Sequence, residues 1–147
     1  MYIFLAIIEI ILNLLIQSAM VSAVFSLMKR FAERQWLGQS FFRDTMVLST
    51  ALVMLFIGHL FQILLWAIPY RLYGEFSNLV DAFYHSTVNY TTLGYGDIVM
   101  SGGWRMVGAL EAACGVLMFG VSTATFFALM RHLFSLRKGT GASEQQD

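Results

Sequence analysis

Thr91-Thr92-Leu93-Gly94-Tyr95-Gly96-Asp97 is the stretch that decides how this chain is read. Two glycines alternate with larger residues inside it, and glycine accepts backbone angles that a side chain opposes. Such a loop can turn consecutive carbonyl oxygens to one side. It lies between long apolar runs, at the depth of a membrane. Irregular backbone is tolerated there only where it lines water or is buried in protein.

The rest of the composition supports that setting. Of 147 residues, 58% are hydrophobic and 12% are charged, and the mean hydropathy is +0.67; the balance is that of a membrane protein. Nine Lys/Arg offset nine Asp/Glu, so no net field gathers nucleic acid. Cys114 is the single cysteine and reads as a small buried hydrophobe, with no disulfide or metal cluster to join. Met28, Met46, Met54, Met118 and Met130 read as adaptable packing residues, not as a metal site. No embedded nucleophile–base pair and no HExxH motif occurs, so neither enzymatic chemistry nor a cofactor is expected.

Three apolar runs, residues 2–28, 45–68 and 104–130, are each long enough to cross about 30 Å of hydrocarbon as a helix. The first has no basic n-region and is too long for a signal-peptide core, so it reads as a retained membrane helix. Lys/Arg bias orients the chain. Lys29, Arg30, Arg34 and Arg43 follow the first span, and Arg131, Arg137 and Lys138 follow the third, whereas the opposite side holds only Arg71 and Arg105. The N-terminus is therefore expected outside, the C-terminus in the cytoplasm, and segment 69–103 facing out. The expected organisation is a first helix over 1–28, a cytoplasmic loop over 29–44, a pore module over 45–134 and a short polar tail over 135–147.

Within the outward segment, Pro69 is expected to end the second span. Asn78 followed by Asp81 reads as a helix start, with the acid near the positive end of the helix dipole. A short helix over 79–90 then leads into the glycine loop, which is the arrangement a re-entrant pore segment needs. There are no periodic arginines of the kind that make a voltage sensor.

From about Leu52 to Leu133 the chain resembles the potassium-channel pore family of the two-membrane-helix bacterial type, with an extra helix in front. The resemblance rests on the 91–97 motif and on Gly115-Val-Leu-Met-Phe-Gly120 in the last span. It implies an all-α homotetramer in the plasma or inner membrane, with potassium ions as the transported species. Dehydrated potassium needs rings of oxygen, and the carbonyls of Thr92, Leu93, Gly94 and Tyr95 with the Thr92 hydroxyl would supply them around a four-chain axis. Gly96 completes the loop, Tyr95 would wedge it open from outside, and Asp97 would concentrate cations at the outer mouth. Leu93 stands where valine is commonest, and Val88 stands where some relatives carry a glutamate. Tyr84 is therefore the expected hydroxyl partner of Asp97.

Intramembrane polar residues need partners. Glu111 is expected to bond the short helix behind the filter, with a proton relay as the alternative. His85 reads as a packing residue with one hydrogen bond, or else as a pH-sensitive tuner. On the last helix Val116, Phe119, Thr123, Phe127 and Met130 share one face. There Thr123 is the candidate cavity residue, Phe127 the candidate gate and Gly115 the candidate hinge. Glu9, Asn13 and Gln17 form a polar stripe on the first helix that should face protein; Glu9 is expected to bond His59 or Gln62. A non-selective cation channel, or a non-conducting membrane scaffold, is the alternative reading of the whole.

Overall fold

A computed structural model describes residues 1–34, 36–37 and 40–143. Three residues of the expected 29–44 loop and the last four of the expected tail lie outside the described residues. Among the described residues every regular element is a helix, as expected: α1 (Tyr2–Glu33), α2 (Phe41–Leu72), α3 (Leu79–Tyr90) and α4 (Arg105–Ser143). Of these, α1, α2 and α4 are long and apolar enough to cross a membrane.

The long helices overrun the apolar runs. Hydropathy marks where hydrocarbon ends, whereas Lys, Arg, Glu and Gln continue a helix at little cost beyond that point. The 29–44 loop therefore shrinks, and the start of the expected tail is helical.

Pro69 does not end α2, contrary to expectation; it sits inside the last turn. Termination falls to Gly74, whose φ of 81° only glycine adopts freely. There Gly74 N–H donates to the Arg71 carbonyl at 3.3 Å and Glu75 N–H to the Tyr70 carbonyl at 3.0 Å. That pair of bonds, closing over a left-handed residue, is the Schellman ending of a helix.

The chain forms two compact units that divide the long helices between them: Met1–Ser18 with Gly58–Gly120, and Ala19–Ile57 with Val121–Asp147. The first unit has a core of Ala6, Trp66, Ala67, Tyr70, Ala82 and Tyr90, all fully buried. The second packs Val24 and Met28 of α1 against Val47, Ala51 and Leu55 of α2 and Leu129 and Leu133 of α4. In that unit Arg137 Nε meets the largely buried Asp44 at 3.0 Å.

Candidate functional site

The site is built on α3. Asn78 caps its start: the side chain accepts from Asp81 N–H at 2.8 Å and donates from Nδ2 to Asp81 Oδ2 at 2.7 Å. One carboxylate thus satisfies the cap and sits at the positive end of the dipole.

The other end of α3 runs straight into the glycine loop. Thr92 N–H donates to the Asn89 carbonyl at 2.8 Å and Leu93 N–H to the Val88 carbonyl at 2.9 Å. This is a second Schellman ending, but the left-handed residue is Thr92, with φ 57°. A β-branched residue there is strained. Gly94 follows at φ 60° and Gly96 at φ 72°, while Leu93 and Tyr95 keep the ordinary negative φ. Left-handed residues therefore alternate with ordinary ones from 92 to 96. Alternating hand rotates successive peptide planes to the same side, which draws one set of backbone dipoles together. A Cβ on Gly96 would meet nothing within 4 Å, and one on Gly94 only the Thr92 carbonyl oxygen at 3.9 Å. Within the chain, glycine is therefore needed for its angles rather than for space.

Asp97 is held at both oxygens. Tyr84 donates its hydroxyl to Oδ2 at 2.7 Å, and Ile98 N–H donates to Oδ1 at 3.1 Å. The bond to Asp97 raises the Tyr84 pKa above the usual tyrosine value, helped by partial desolvation and by the carboxylate charge. His85 lies at 5% exposure between the Tyr70 and Phe76 rings, and its Nε2 shares one hydrogen bond with Asn89 at 3.0 Å. Burial lowers its pKa, against the opposing pull of Asp97 and Glu75.

Behind α3 stands Glu111 of α4, with no exposed surface. Its carboxyl bonds Ser86, accepts from Tyr70 at 2.8 Å and accepts from Asn89 at 3.3 Å. Donors from α2 and α3 therefore converge on one buried acid, which satisfies the condition for keeping it inside. Gly115, one turn further along α4, faces the end of α3. A Cβ there would overlap the Tyr90 carbonyl oxygen and come within 2.9 Å of its carbon. Packing against α3 thus explains why residue 115 is glycine, the close helix approach that small residues permit. Gly120 has no such neighbour within 4 Å.

A second polar hub was legible in the sequence only in part: the α1 stripe was expected to meet His59 or Gln62, but without Tyr90 and through Glu9. Gln62 of α2 accepts from the Tyr90 hydroxyl at 2.6 Å and shares a bond with His59 at 3.1 Å. Its Nε2 donates to the Asn13 carbonyl at 3.0 Å and to Gln17 at 3.2 Å. The polar stripe of α1 does face protein, since Asn13 and Gln17 are buried. The expected Glu9 clamp is absent, however. Gln62 meets α1 one to two turns further along than Glu9, and Glu9 Oε2 has no hydrogen-bond partner. Counting from the helix ends misplaced the register because α2 runs on past Pro69. On α4, Val116, Phe119, Thr123 and Phe127 are exposed along one face of the single chain.

A family model described as an ion channel matches residues 45–132, well over half of the chain. The chain belongs to this family of ion channels, the potassium-channel pore family, as a multi-pass membrane protein. Neither the curated proteins nor the solved structures contain a match to it.

Proposed function

We propose that the protein is a potassium-selective channel in which four copies bring their 92–96 loops to one axis. The observation that carries this reading is the alternation of left-handed and ordinary φ along Thr92, Leu93, Gly94, Tyr95 and Gly96, within a TTLGYGD sequence. Four such loops would replace the hydration shell of potassium with stacked carbonyl rings. Asp97, fixed by Tyr84, places a carboxylate beside the end of the loop, where it would concentrate cations. Glu111 and Gln62 support the short helix from behind, so the loop starts from a braced position.

The family resemblance implies a plasma or inner membrane, and the Lys/Arg bias supports an N-terminus outside. On the exposed face of α4, Thr123 lines the cavity and a ring of Phe127 blocks ions by dewetting when the helices close. Gly120, with open space around it, takes the hinge role in this reading.

The test is flux from liposomes holding the full chain, with potassium and sodium gradients in turn. Wild type should pass potassium in strong preference to sodium. Gly94→Ala should abolish the current, because alanine opposes φ near +60°. Equal flux of both cations would move the protein to the non-selective class. Unchanged selectivity in Gly94→Ala would end the carbonyl-ring reading.

A further inference from the structure

Apolar grooves open on the second unit, and charge separates them. One is rimmed by Asp44 and Arg137 over Leu48 and Leu133, and there the two charges already pair at 3.0 Å. Another, lined by Phe42, Met46, Val53 and Met54 with hydroxyl residues, carries no charge. The third lies between α1 and α4. Phe25, Met28, Ala32 and Leu129 line it, with Lys29 and His132 as its polar members. Its volume is about 360 Å³, within the range of small-ligand pockets.

This groove is built like an amphiphile. Its floor is apolar and firm, since Met28 is 5% and Leu129 1% exposed. At 1.5 Å per residue, Lys29 lies roughly 40 Å along α1 from Tyr2, beyond a hydrocarbon layer of about 30 Å. Lys29 therefore sits at the polar interface, one turn past Phe25. His132 offers a ring N–H donor from the facing helix. The carboxylate near this pair is Glu33, 3.9 Å from Lys29 Nζ, with both side chains mostly in solvent. Such exposed pairs are worth little and are readily exchanged. The negative end of the α1 dipole mildly opposes an anion here, and Lys29 in the groove lining offsets it.

We propose that this α1–α4 groove binds an anionic phospholipid, with an acyl chain over Met28 and Leu129 and the phosphate between Lys29 and His132. Its occupant is lipid because both walls are membrane-spanning helices. It is anionic lipid because the polar members of the groove are an ammonium and an imidazole. A lipid held there would tie the extra first helix to the end of the last one, making the assembly sensitive to the anionic content of the bilayer.

Native mass spectrometry of the full chain, loaded in parallel with phosphatidylglycerol and phosphatidylcholine, tests this. Wild type should retain phosphatidylglycerol about fivefold better, the equivalent of the ~1 kcal/mol that an interfacial cation contributes. K29Q/H132Q should fall to the phosphatidylcholine level. R30Q, which removes an exposed charge outside the groove lining, should behave as wild type. Ala32→Trp, filling the groove, should lower retention of both lipids. Equal retention of the two lipids by wild type overturns the proposal, as does an equal loss in R30Q and K29Q/H132Q. No ion flux enters this measurement, so its outcome is independent of the pore reading.

Discussion

Gly115→Ala sets two physical effects of opposite sign against each other. In an isolated helix, alanine is better than glycine by about 1 kcal/mol, so propensity alone favours the variant. In this fold the new Cβ would overlap the carbonyl oxygen of Tyr90 and approach its carbon to 2.9 Å. The obstacle is backbone, which cannot rotate aside as a flexible side chain would. Overpacking costs roughly 1–3 kcal/mol, and an immovable neighbour puts this site toward the upper part of that range. The net expectation is a loss of about 1–2 kcal/mol. For a chain of this size that lowers Tm by roughly 2–8 °C, at about 2–4 °C per kcal/mol. Gly120→Ala is the control on the same helix. Its Cβ meets nothing within 4 Å, so it should gain up to about 1 kcal/mol. Thermal unfolding followed by circular dichroism on the purified full chain reads both. The Tyr90 carbonyl also ends α3 just before Thr92, so Gly115→Ala should reduce potassium flux as well. A Gly115→Ala variant at or above the wild-type Tm would refute the close approach of α4 to α3.

Two further outcomes follow from the polar hubs and the outer loop. Gln62→Leu removes the bonds that Gln62 makes to the Tyr90 hydroxyl, the Asn13 carbonyl and Gln17, and leaves Tyr90 with His59 at 3.2 Å; losing these buried bonds should cost about 1–3 kcal/mol. Glu9→Leu should be neutral or stabilising because Glu9 Oε2 has no partner; melting curves that ranked the two in the opposite order would contradict the hub. At the outer loop, the Tyr84–Asp97 bond raises the Tyr84 pKa, so the hydroxyl holds its proton to higher pH than it would without the bond. Alkaline titration of tyrosinate absorbance should show one tyrosine moving to lower pH in Asp97→Asn, and a superimposable curve would argue against the bond.

Much of this protein was legible before its structure. Hydropathy marked three spans because hydrocarbon demands long apolar helices whatever the tertiary packing. Asn78 and Asp81 marked the start of α3 because a cap is a local device, complete within four residues. Gly94 and Gly96 announced their positive φ because glycine alone adopts it freely. Tyr84 and Asp97 were paired through the resemblance to a known motif, and the 2.7 Å bond is present. What stayed hidden depends on register and contact. The placement of Gln62 against Asn13 and Gln17, and not Glu9, is set by how far α2 continues past Pro69, where packing overrides the local cost of proline. Thr92 in a left-handed conformation runs against its own preference, so its propensity points away from the strain that the loop imposes. The demand for glycine at 115 comes from a carbonyl on another helix, twenty-five residues away in the chain. Local rules thus determined where each helix lies and how α3 begins, while only the tertiary structure decided how far the long helices run and which of their polar and backbone groups meet, because those meetings are fixed by contacts between residues distant in sequence.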